Sequence, residues 1–209
     1  MNSPAGFMKA TRPAWPEPAI GARFLNTAMP GRADWVTFNF MQKLLLISDW
    51  IDALNERLGR ALSILVLVLI LVQFALVIMS ANFRVGSIKL QESLLYINAL
   101  MFLGAAGYTL LHDSHVRVDI FYSHASDKGK ARINFLGTIL LLLPFLGFLW
   151  VIALPYALNS WVILEASFET SGLPFVYILK SFILVFALSL TAQGFSLAVR
   201  SWAVMKAGD

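Results

Sequence analysis

The sequence predicts an all-α integral membrane protein, with four transmembrane helices and an N-terminal amphipathic interfacial helix. Three observations carry this. Hydrophobic residues make up 58% of the 209, and charged residues only 13%. That charged share is about half of what a soluble domain carries. The mean hydropathy is +0.73, too high for a chain that must cover itself with a polar exterior. Finally, the apolar residues gather into four runs long enough to cross roughly 30 Å of hydrocarbon as helices.

Residues 1–34 are rich in Pro, Gly and Ala and contain Pro4, Pro13, Pro16, Pro18 and Pro30. No apolar core of signal-peptide length occurs here, so the sequence predicts no cleaved export signal but a flexible cytoplasmic tail. Over 35–58, Phe40, Leu44, Ile47, Ile51, Leu54 and Leu58 recur at steps of four and three, which is a helical stripe. Asn39, Lys43, Asp49, Asn55, Glu56 and Arg57 fall largely off it. Such a helix lies in the membrane interface or packs on another protein surface.

The domain 59–200 holds the spans. The first, about 61–82, has no charge between Arg60 and Arg84. The second, about 93–111, lies between Glu92 and His112, and its Gly104, Ala105, Ala106 and Gly107 let another helix approach closely. The third, about 133–154, contains Pro144, which predicts a kink, and Pro155 marks its outer end. The fourth, about 174–199, opens on Pro174, whose missing N–H is no loss in a first helical turn. Arg200, Trp202 and Lys206 close it, and 201–209 form a cytoplasmic end.

Orientation follows from the basic residues. Seven Lys or Arg lie from Lys9 to Arg60, and the second-to-third connection adds Arg117, Lys128, Lys130 and Arg132. Arg200 and Lys206 follow the fourth span. The opposite side carries only Arg84 and Lys89, and the 155–173 loop has just Glu165 and Glu169. The positive-inside rule then places both termini in the cytoplasm. The net charge of +4 is explained by that asymmetry. The basic residues form no stripe, so nucleic acid is not an expected partner.

Few residues carry recognisable chemistry. With no cysteine there are no disulfides, thiolate metal sites or cysteine nucleophiles. His112, His115 and His124 cluster with Asp113, Asp119 and Asp127. His112 and His115 are three apart and can share a helix face, so a membrane enzyme built on His112, His115 and Asp119 is one reading. A wet loop at a helix end is the simpler one. No phosphate-binding glycine loop or nucleophile elbow appears, and no metal or cofactor is expected.

Inside the spans the one ionisable residue is Lys180, about two turns into the fourth. It can snorkel, pair with Glu165 or Glu169, or contact a partner subunit. Gln73, Asn98 and Gln193 are candidates for hydrogen bonds between helices. Ion-coupled carriers usually show acids at mid-membrane or internal repeats. Neither is evident, which disfavours a stand-alone channel or carrier.

The loop after the second span reads His115-Val116-Arg117-Val118-Asp119-Ile120-Phe121-Tyr122. It resembles the His-x-Arg-x-Asp signature of the small membrane subunit of tripartite ATP-independent periplasmic (TRAP) transporters. A second stretch is similar to the branch labelled for mannitol or chloroaromatic compounds: Trp161, Glu165, Ser167, Ser171-Gly172-Leu173-Pro174, Tyr177 and Lys180. The resemblance spans roughly 53–200. It departs from the family in the His112-Asp113-Ser114 approach to the motif and in the long tail. It implies a bacterial inner-membrane subunit that binds neither substrate nor sodium. A periplasmic binding protein would capture an organic acid, and a large permease subunit would move it inward by sodium symport. The small subunit would brace the large one among the membrane lipids. Under that reading His115, Arg117, Asp119, Lys180, Glu165, Gly104 and Gly107 are the candidate contacts to the partner or to lipid.

Overall fold

In the computed structural model, residues 35–112 and 125–206 are described, and every regular element among them is helical. The elements are α1 (Trp35–Phe83), α2 (Ile88–Gly104), α3 (Ala106–Leu111), α4 (Asp127–Gly137), a π-helical turn (Thr138–Leu142), α5 (Leu143–Val162) and α6 (Val176–Lys206). They combine into four helices long and apolar enough to cross a membrane: Phe38–Phe83, Ile88–Leu111, Lys128–Val162 and Val176–Lys206. The chain thus has the helices of a multi-pass membrane protein.

Local chemistry sets several ends. Ser87 caps α2, its Oγ accepting from the Leu90 N–H at 3.4 Å. Ser126 caps α4 in the same way, through the Gly129 N–H at 3.3 Å. Each cap satisfies one of the N–H groups that a first helical turn leaves unpaired. Ala105 interrupts the second span for a single residue, and bonds on either side carry the helix across it: Ala105 N–H to Met101 O at 3.1 Å, Thr109 N–H to Ala105 O at 3.0 Å.

The third span differs from the sequence expectation. It starts earlier and runs to Val162, with Pro155 inside the helix, not at its end. A proline there leaves one carbonyl without its helical donor, which membrane helices tolerate. The disturbance expected at Pro144 takes the form of the π-turn immediately before it. The wider turn gives room for the proline ring, which would otherwise press on the carbonyl four residues back.

The first helix differs more. The interfacial segment 35–58 and the span 61–82 are not two elements but one helix of 49 residues, about 74 Å long. Its apolar stripe does not face the core: Phe40, Ile47, Leu54 and Leu58 are exposed. The buried face is Met41 and Leu45 followed by the small or polar Ser48, Asn55 and Gly59. This is the arrangement lipid favours. Apolar side chains lose nothing by facing acyl chains, so helix contacts go to small residues and to hydrogen bonds.

The centre of the bundle is α6, which packs against every other helix among the described residues. Its apolar window is 39% buried, against 6% for α1. Its inward residues are mostly small: Ala187, Ser189, Gly194, Ser196, Ser201 and Ala203. Leu142 from the π-turn seats over Gly194, where an added Cβ would stand 2.8 Å from Leu142 Cδ2. Two apolar clusters hold it: Ala106, Leu146 and Leu190 in mid-bundle, and Met41, Leu45, Val199 and Ala203 where α1 and α6 meet.

Candidate functional site

The polar chemistry of the described residues gathers in two layers. The basal layer lies midway along α1 and toward the end of α6. The distal layer lies at the 163–175 connection. Lys180 and Arg200 mark them on α6, twenty residues apart. That separation is about 30 Å along a helix, the thickness of the hydrocarbon.

In the basal layer, Asn55 Nδ2 donates to Gln193 Oε1 at 2.7 Å, and Gln193 Nε2 donates to Asp52 Oδ1 at 2.9 Å. Ser196 Oγ donates to the same Asp52 oxygen at 2.7 Å. Arg200 Nη2 bridges two carboxylates, 2.6 Å from Asp49 Oδ1 and 2.6 Å from Asp52 Oδ2. One turn further along α1, Glu56 meets Arg60 at 3.1 Å and His112 Nε2 at 2.6 Å. The sequence marked Gln193 as a helix-bridging candidate, and it is one. Gln73 and Asn98, marked on the same grounds, are exposed.

Glycines permit this layer. An added Cβ on Gly107 would lie 2.6 Å from Asn55 Oδ1, and one on Gly104 would lie 2.8 Å from Leu62 Cδ1. A Cβ on Gly59 would run into the Tyr108 ring. Gly104 and Gly107 give the close helix approach that the sequence predicted. Their missing side chains admit α1 of the same chain.

In the distal layer, Glu165 Oε2 accepts from Lys180 Nζ at 2.5 Å and from Ser160 Oγ at 2.7 Å. The Lys180 ammonium also stands 4.2 Å from the centre of the Tyr156 ring. Glu92 reaches across from α2, accepting from Ser167 Oγ and from the Leu173 N–H, the latter at 2.5 Å. Gly172 is required beside it, because a Cβ there would press on Ser167 and Glu92. Of the partners the sequence offered Lys180, the structure selects Glu165. It adds Glu92, which the sequence treated only as a span boundary.

The hydrogen bonds from Lys180 and then Ser160 hold the Glu165 carboxyl below the usual carboxylate range. A group whose folded pKa is depressed stabilises the fold fully above its unfolded value, about 4.3, and loses that contribution as pH falls through the folded value. The melting temperature of the purified chain should hold from about pH 7 to 5 and then fall with acid. Glu165→Gln should remove part of that acid dependence. An identical acid slope in the variant would assign it to other carboxylates.

His115, Arg117 and Asp119 lie outside the described residues, as do Asp113 and His124. Among the described residues no three His, Asp or Glu side chains come together as a metal site. His112 is engaged with Glu56 and stacks beside the Tyr108 ring at 4.4 Å between centroids. The basal network was hidden from sequence reasoning because its members are far apart in the chain. Its one available signal was the polar face of 48–56, which a water-based reading assigns to solvent. Compared with known proteins, the chain matches no family model, no curated protein and no solved structure.

Proposed function

We propose that this chain is the small membrane subunit of a TRAP transporter in a bacterial inner membrane, with both termini cytoplasmic. In this reading it braces a large permease subunit that takes up an organic acid, delivered by a periplasmic binding protein, by sodium symport. The basal layer then faces the cytoplasm and the distal layer the periplasm.

The observation that carries the reading is how the charges within the helices are used. Asp49, Asp52 and Arg200 at one end, and Lys180 with Glu165 at the other, bind one another. Groups committed in this way fix helix positions and are not free to carry ions. The long apolar faces of α1 and α5 turn outward, offering a wall for lipid and for the helices of a larger partner. The His115-x-Arg117-x-Asp119 resemblance supplies the identity of that partner.

Co-expression with the neighbouring genes, followed by affinity purification through a tag on this chain, tests the proposal. A larger multi-span protein should be recovered with it. Arg117→Ala should lower the yield of that complex, because in this reading the motif arginine is a contact to the partner or to lipid. Unchanged co-purification and transport would remove Arg117 from that role, and consistent recovery of the chain alone would overturn the assembly.

A further inference from the structure

The connection from α5 to α6 is built unlike an aqueous loop. Glu165, Ser167 and the Leu173 N–H turn inward, while Glu169, Thr170 and Ser171 stay exposed at its tip. Glu165 is spent on Lys180 and Ser160, and Ser167 and the Leu173 N–H are spent on Glu92. Its apolar groups turn outward: Ile163 and Leu164 are exposed, and Phe168 is 99% exposed.

The helix end shows the same preference. Glu165 N–H bonds to Ser160 O at 3.0 Å and Leu164 N–H to Trp161 O at 3.2 Å, the two bonds of a Schellman ending. The residue in the left-handed position is Leu164, with φ 46, where glycine is the ordinary choice. A bulky side chain is thus held in a disfavoured backbone conformation, and that side chain is left 62% exposed by the protein itself.

Its height relative to the bilayer is fixed by α6. Glu165 is bonded to Lys180, one helical turn inside the start of α6 and a hydrocarbon thickness from Arg200. Trp161 at the same level donates its indole N–H to Ser181 Oγ at 2.8 Å and packs on Tyr177 at 4.6 Å. Half-exposed aromatic residues with a satisfied polar edge are the ones that occupy a membrane–water boundary. The exposed row on α5, including Val151, Leu158 and Val162, runs directly into Ile163 and Leu164.

We propose that the 163–175 connection is a membrane wedge: Ile163, Leu164 and Phe168 seat in the headgroup and upper acyl region of the leaflet at the distal end. The occupant of this surface is lipid. The surface is continuous with the lipid-facing wall of α5, lies at the boundary level, and is apolar at Ile163, Leu164 and Phe168, with the exposed Glu169, Thr170 and Ser171 left to headgroups and water. The two carboxylate clamps, Glu92 and Glu165, hold it in that position.

The chain has no cysteine, so single-cysteine variants report cleanly. Phe168→Cys and, as a second position, Leu164→Cys are labelled with bimane in the full chain. Each is reconstituted in phosphatidylethanolamine and phosphatidylglycerol vesicles, with and without a lipid carrying a nitroxide near the headgroup. The wedge predicts that nitroxide lipid lowers the fluorescence of both by about twofold or more, while aqueous iodide has little effect. Strong iodide quenching at Phe168 without lipid quenching would place the loop in water. Protection from both quenchers would place it under protein, such as a second copy. Either result overturns the proposal.

Discussion

Arg200→Ala lowers the stability of the folded chain by about 3 kcal/mol, the range for removing one partner from a buried ion pair. The substitution leaves Asp49 and Asp52 facing each other with no cation between them. The arginine side chain is 18% exposed and that of Asp52 16%, so water compensates little. Asp52 keeps its bonds from Gln193 and Ser196, which limits the loss. For a chain of this size the change amounts to roughly 6–12 °C in the melting temperature in mild detergent. Asp52→Asn in the same background should restore part of it by removing the stranded charge. Asp49→Asn alone should cost under about 1 kcal/mol, because that carboxylate is half exposed. An unchanged melting temperature for Arg200→Ala would mean that α1 is held to α6 without the charged layer.

Gly107→Val is expected to be comparably damaging, by a steric route. The first added carbon alone would sit 2.6 Å from Asn55 Oδ1. Either α1 moves away or Asn55 abandons Gln193. Overpacking costs about 1–3 kcal/mol, and a buried amide left without its partner adds about 1–3 more. The control is Gly147→Ala. A Cβ at Gly147 meets nothing within 4 Å, so that change should be neutral or slightly stabilising, by up to about 1 kcal/mol. Melting temperatures of the two variants measured side by side separate packing from a general intolerance of glycine replacement. Equal effects would contradict the close approach of α1 and α3.

The four spans were legible because the bilayer imposes length and apolarity on each helix separately. Runs such as 61–79 need no tertiary context to be recognised. The ends were less legible. Pro155 reads as a terminator in water, yet in lipid its helix continues to Val162. The first helix was read with its apolar stripe toward the membrane interface or another protein, and the packing role of its opposite, polar side went unread. A stripe such as Phe40, Ile47, Leu54 marks the buried side of a soluble helix, but in a membrane it is the polar and small side that seeks the protein. Lys180 and Glu165 stood out, one charge in an apolar run with an acid in the next loop. Asp49 and Arg200 did not, because 151 residues separate them and each alone resembles an interfacial charge.

What the two layers do together is hold four helices at fixed spacing while leaving their outer faces apolar. Under the proposed function, that is the work of a brace for a large permease subunit. Transport assays in vesicles test it most directly: the purified chain alone, the large permease subunit with its binding protein, and all three together. The account predicts no sodium-dependent uptake by this chain alone and full uptake only when it joins the other two. Uptake by the chain alone, or undiminished uptake without it, would contradict the account.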